Sequence, residues 1–200
     1  HAVKNITTGE GGSVLSQNKA FIKKIKLLRT HGLNYYKGPK HKNLSSYDMQ
    51  SLGFNYRITD FQCALGTSQL KKLSKFIKKK RKIASLYNRE FKDDARFVIP
   101  KEIADNYHAY HLYPLLINFN IIKITKKILY QKMLKSKIKL QNHYLPMYRH
   151  SYYKKNFNFN IKDFPNSENF YEKQISLPLF YGIKKSEILK VIKNIKNICK

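Results

Sequence analysis

Between Thr59 and Phe91 the apolar residues Leu70, Leu73, Ile77, Ala84, Tyr87 and Phe91 recur at the spacing of one face of a long α-helix. Thr59-Asp60 offers its N-cap. A helix of this length can bridge from one unit into the next. The composition changes just beyond it, at KDDARFVIPKEIADN (92–106), where acids and a proline enter. The expected organisation is therefore two domains, residues 1–90 and 91–200, with the helix as their bridge. The stripe reads as core, and Cys63 in the same apolar setting reads as a small core hydrophobe.

Ahead of the helix, SVLS (13–16) predicts a short buried strand. Phe21, Ile22, Ile25 and Leu28 predict a helix over 19–29, stopped by His31-Gly32. Residues 33–53 are rich in Gly, Pro, Asn, Ser and Tyr and read as a long loop, a length that is usually functional or disordered. Beyond the composition change, HAYHLYPLLIN predicts a strand, 124–137 a helix and 138–144 another strand. Residues 146–159 read as irregular or a short helix, 168–175 as a helix followed by SLPLF. A last helix, capped by Ser186, carries Ile188, Val191, Ile192, Ile195 and Ile198. This alternation predicts a small α/β or α+β unit.

The formal charge is +28, but 34 lysines supply it against 6 arginines. Lysine, isoleucine and asparagine share A/T-rich codons, so a biased genome raises all three, and the lysines are expected on solvated faces. KKKRK (78–82) falls inside the helical pattern. Arginine, not lysine, reads phosphates bidentately, and the aromatics lie on amphipathic stripes rather than among clustered arginines. Nucleic acid is not the expected partner; a basic nucleic-acid-binding protein is the rival reading from a different class. Two cysteines give neither a disulfide framework nor metal-ligand spacing and fit a reducing, cytoplasmic setting. His108 and His111 fall on opposite faces of a strand-like segment, so no metal is expected. No stretch reaches the ~18 uncharged apolar residues of a membrane span, and no secretory signal pattern is present.

The opening HAVKNITTGEGGSVL sets Lys4 among Ala2, Val3 and Ile6, just before a glycine-rich turn. An exposed lysine, with a pKa near ~10.4, is a poor base and a poor nucleophile at neutral pH, so a useful one sits in a desolvated pocket or beside other cations. GEGG lacks the GxxxxGK[ST] order of a phosphate-binding P-loop. Taken with LLRTHG (27–32) and GFNYRITDFQCALGTSQL (53–70), the opening resembles the DegT/DnrJ/EryC1/StrS family of sugar aminotransferases. The later segments YHLYPLLIN (110–118), LQNHYLPMYRHSYY (140–153) and ISLPLF (175–180) look most like its pseudaminic-acid branch. Enzymes of that branch aminate C4 of a UDP-linked 4-keto-6-deoxy-N-acetyl sugar.

The resemblance implies an α/β fold, the C-terminal half of a fold type I pyridoxal-phosphate-dependent transferase. Such a half holds the end of the large domain and a small C-terminal domain. It implies pyridoxal phosphate as cofactor, L-glutamate as amino donor, a UDP-sugar as substrate and a homodimer with sites shared across its interface. Lys4 would form the Schiff base and later move the proton between cofactor and sugar carbon. Asn55 matches the asparagine that reaches the phosphate of the partner's cofactor. Arg57 would orient this loop or meet the nucleotide diphosphate, or serve as a loop-anchoring ion pair. His143, Tyr144 and Tyr148 lie in the segment expected near the sugar nucleotide, or pack the small domain. Histidine stands at the lysine position in the family's dehydratases, so Lys4 favours transamination; another nucleotide keto-sugar stays an alternative. The family's phosphate-binding serine and pyridinium-pairing aspartate lie upstream of the first residue. The 200 residues alone are therefore expected to bind the cofactor poorly and not to turn over.

Overall fold

The structure, a computed structural model, describes residues 1, 3–35 and 47–200. Two compact units divide inside the longest helix, His1–Leu73 and Ser74–Lys200.

In the first unit, α1 (Lys19–Leu28) starts where the Asn18 side chain accepts the Phe21 N–H at 3.0 Å. It stops as the sequence predicts. His31 and Gly32 take φ of +57° and +69°, and the Gly32 N–H returns to the Leu27 carbonyl at 3.0 Å. A Cβ on Gly32 would stand 1.8 Å from the Ser51 carbonyl oxygen, so only glycine fits. The segment read as one loop, 33–53, instead contains β1 (Leu33–Tyr35) and β2 (Tyr47–Met49), paired antiparallel with Leu33 opposite Met49. Residues 36–46 of it lie outside the described residues. The strands escape sequence reading because β2 is exposed throughout, with no buried face to impose alternation. SVLS forms no strand: Leu15 is 90% exposed, and no described strand pairs with it.

α2 (Asp60–Phe91) has 32 residues, about 48 Å at 1.5 Å per residue. Its C-terminal turns bury Ile83, Ala84, Tyr87 and Phe91, whereas Leu70 is 57% exposed. Cys63 is exposed, against the expectation of a core position; a stripe shows which residues share a face but not where along the helix that face is covered.

In the second unit, β3 (Phe97–Val98), β4 (Tyr113–Ile117) and β5 (Gln174–Leu177) form an antiparallel sheet in that order. Tyr113, Leu115 and Ile117 alternate into the core. They join Tyr87 and Phe91 of α2, Leu129 and Met133 of α3 (Lys126–Lys135), and the Ile188, Val191, Ile192 and Ile195 stripe of α6 (Lys185–Ile198). β3 spans two residues, too few for a periodic signal. The strand expected over 138–144 reduces to a single bridge, Gln141 to Ser176, because only that residue meets the outer edge of β5. Between them run α4 (Ser151–Asn156) and α5 (Pro165–Lys173). α6 begins one residue before Ser186, and the Glu187 carboxylate accepts the Lys184 backbone N–H at 2.7 Å in place of the expected serine cap.

Most described lysines are solvated. Lys80 is the buried one, and burial lowers its pKa. No described helix is long and apolar enough to cross a membrane.

Candidate functional site

Lys4 lies exposed in a turn, its backbone N–H on the His1 carbonyl at 3.2 Å. The following TTGEGG turn is seated on the start of α2. Thr7 Oγ1 accepts the Gly9 N–H at 2.9 Å, and the Thr8 hydroxyl donates to the Glu10 carbonyl at 2.9 Å. Thr8 is also clamped sterically. A Cβ on Gly11 would lie 2.8 Å from its Oγ1, and a Cβ on Gly66 of α2 would lie 2.9 Å from its Cγ2. Gln62 joins the two elements. Its Oε1 accepts from the Thr59 N–H and hydroxyl, each at 3.0 Å, closing a capping box. Its Nε2 donates to the Glu10 carbonyl at 3.0 Å. The Thr59-x-x-Gln62 spacing was readable as a cap; the reach to Glu10 was not.

The segment carrying Asn55 runs beside the end of α1. Asn55 bridges Thr30, and the Tyr56 N–H donates to the Arg29 carbonyl at 2.9 Å. Arg57 Nε donates to Asn55 Oδ1 at 2.9 Å, so these two candidates are brought together. That bond points the amide oxygen at Arg57 and turns the NH2 of Asn55 elsewhere, as a donor. A cleft of about 810 Å³ in this unit is lined by Arg29, Arg57 and Lys26, with Glu10, Tyr56 and the apolar Ile22 and Ile25 among its other walls. Four of the six arginines are paired with carboxylates: Arg81 with Glu102, Arg89 with Glu90, Arg96 with Asp94 and Arg149 with Glu168. The other two, Arg29 and Arg57, line this cleft, which suits an anion. Arg29 was missed because its neighbours read only as a helix end.

In the second unit the candidates have different surroundings. Tyr148 is buried, stacked on Phe164 at 4.3 Å, with its hydroxyl donating to Glu168 Oε1 at 2.7 Å. Arg149 also donates to that carboxylate through Nε, at 2.9 Å, and through its terminal nitrogen. These donors, Arg149 first, hold Glu168 below the usual carboxylate range. Tyr144 is 67% exposed and meets the His143 ring edge-on at 4.6 Å. His143 is half-buried, its Nδ1 2.8 Å from Ser176 Oγ and its backbone N–H on Gln174 Oε1 at 3.0 Å. Next to it, Asn142 Oδ1 accepts from Lys126 Nζ at 3.1 Å, and the same ammonium donates to the Tyr171 carbonyl at 2.6 Å. Burial brings Lys126 down to about 8. Gln174, Ser176, Glu168 and Lys126 were not anticipated as supports of this segment; the one visible signal was two polar residues inside the apolar run QISLPLF.

Residues 1–196 match the DegT/DnrJ/EryC1/StrS aminotransferase family. The chain is 42% identical over 178 residues to the UDP-4-amino-4,6-dideoxy-N-acetyl-beta-L-altrosamine transaminase of Campylobacter jejuni, covering 89% of this chain and 45% of that one. It is 30% identical to the spore coat polysaccharide biosynthesis protein SpsC of Bacillus subtilis, covering 100% and 52%. Among solved structures it superposes on Helicobacter pylori PseC, described as an aminotransferase involved in the biosynthesis of pseudoaminic acid. The TM-score is 0.88 at 31% identity, covering all of this chain and 51% of that one. The chain spans about half the length of these relatives.

Proposed function

The chain belongs to the DegT/DnrJ/EryC1/StrS aminotransferase family, and from that premise we propose that it carries the lysine-bearing part of a sugar aminotransferase of the pseudaminic-acid type. The reaction moves an amino group from L-glutamate to C4 of a UDP-linked 4-keto-6-deoxy-N-acetyl sugar, in a homodimer whose sites are shared between subunits. Pyridoxal phosphate is the cofactor that membership indicates, and when bound it supplies the electron sink for the exchange.

The residues present suit that group. Lys4 brings a primary amine on a turn whose shape the Thr8 contacts and Gln62 fix. Asn55, with its oxygen occupied by Arg57, turns a neutral N–H donor outward, a fit for phosphate. Lys4 holds and moves the proton at its Nζ; Asn55 binds; Arg57 and Arg29 supply positive charge for an anionic ligand in the adjoining cleft. His143 and Tyr144 are assigned to the sugar-nucleotide side. Tyr148 acts there through Glu168, as a support rather than a contact.

The observation that carries this reading is the seating of the TTGEGG turn on α2, which keeps Lys4 and the Asn55–Arg57 pair on one unit. Borohydride reduction of the cofactor-loaded protein, followed by peptide mapping, places the pyridoxyl label on Lys4. Label on any other lysine refutes the assignment. In the whole enzyme of which this chain is proposed to be the lysine-bearing part, Lys4→Arg abolishes formation of the 4-amino sugar from glutamate; undiminished product refutes the role.

A further inference from the structure

Two polar side chains sit where an apolar strand would be expected to be dry. Gln174 and Ser176 of β5 are 1% and 5% exposed. Buried polar groups are costly unless bonded, and these two bond in a fixed direction. The backbone N–H of His143 can only donate, so the Gln174 end that faces it, at 3.0 Å, is the amide oxygen. The NH2 end is thereby turned to Ser176 Oγ, at 2.7 Å, and it can only donate. Ser176 Oγ accepts that bond, and of its described neighbours His143 Nδ1, at 2.8 Å, is the one placed to take its own proton. Nδ1 is then the acceptor, and in the neutral ring the proton resides on Nε2.

We propose that Gln174 and Ser176 are positioning residues that lock His143 in its Nε2–H tautomer. His143 therefore meets a ligand oxygen, a phosphate or a sugar hydroxyl or carbonyl, as a proton donor and not as a base. The tautomer rests on the chain of bonds from Gln174 through Ser176 to Nδ1; the ligand role rests on the reading of this segment as a sugar-nucleotide site. The lock also explains why polar residues persist in the otherwise apolar QISL strand.

The test is long-range ¹H–¹⁵N correlation of the imidazole nitrogens in the ¹⁵N-labelled 200-residue chain, with His143→Gln used to assign the resonance. The wild-type chain shows Nε2 protonated and Nδ1 bare, the Nε2–H form dominating by fivefold or more, about what one net hydrogen bond sustains. Gln174→Glu keeps an acceptor for the His143 N–H but loses the donor. The Ser176 proton then turns to the carboxylate, Oγ accepts from Nδ1–H, and the protonation pattern at Nδ1 inverts. Ser176→Ala gives a mixture. Unchanged methyl resonances of Leu115 and Ile195 show that each variant is folded; if Gln174→Glu is not, Gln174→Met, which also removes the donor, takes its place and gives a mixture. A wild-type Nδ1–H ring, or a tautomer indifferent to Ser176→Ala, overturns the lock. Addition of UDP tests the other half. A shifted Nε2–H resonance supports the donor role, and no response with the lock intact overturns that role while leaving the tautomer in place.

Discussion

Gln62→Leu isolates the joint between the glycine-rich turn and α2. The substitution keeps side-chain bulk but removes two bonds that the structure gives to Gln62. One is the acceptor for the Thr59 N–H at 3.0 Å, half of a capping box worth about 0.5–1 kcal/mol at an exposed helix start. The other is the donor to the Glu10 carbonyl at 3.0 Å, worth about 1 kcal/mol net. Together about 2 kcal/mol of local stability is lost, roughly a thirtyfold rise in the open population. Native-state hydrogen exchange reads it. Amides of Gln62 and Cys63, which bond to Thr59 through its side chain and its carbonyl, exchange roughly thirtyfold faster. Those of Tyr87 and Phe91, at the buried end of the same helix, do not change. Thr59→Ala is the control, read at the Cys63 amide, whose bond to the residue-59 carbonyl survives the substitution: it weakens the cap but leaves the Glu10 bond, so it speeds exchange there by a smaller factor. Equal exchange in Gln62→Leu and wild type would refute the claim that this side chain ties the two elements. So would acceleration spread evenly to Phe91, which would show a global effect instead.

Leu115→Ala removes a fully buried side chain at the centre of β4 and costs about 2–5 kcal/mol, measured as a lower urea midpoint. Lys126 has its pKa lowered to about 8 in the fold, below the ordinary ~10.4. Between these values the unfolded chain holds the proton and the folded chain does not, so stability rises with pH across about 8 to 10.4. Lys126→Met flattens that rise in urea melts, and a slope unchanged by the substitution counts against the assignment. Cys199 is buried, its thiol pushed up to about 11, whereas Cys63 is exposed. Ellman titration of the native chain therefore releases one equivalent quickly and a second only on unfolding; two rapid equivalents would contradict the packing.

How far the sequence reaches is visible in single elements. Leu70 to Phe91 announced α2 because a 3.6-residue stripe is a property of the chain itself. His31-Gly32 announced the end of α1 because a left-handed turn restricts which residue can stand there. The motif words around Lys4 and Asn55 named the family, and the family match bears that out. The pairing of β1 with β2 stayed hidden because β2 is exposed throughout, and SVLS misled because two apolar residues between serines state a preference for burial without naming a partner.

What local pattern determined, then, is the identity of the long helices, of β4 and of the motif words around Lys4. Tertiary structure alone decided that Cys63 faces solvent while Cys199 is enclosed, that Gln62 spends its amide on Glu10, and that Gln174 and Ser176 orient His143. The physical reason is range. Periodicity and capping act within about one helical turn. A hydrogen bond such as that from Gln62 to Glu10, or from Ser176 to His143, joins residues tens of positions apart and exists only once the chain has folded back to bring donor and acceptor together.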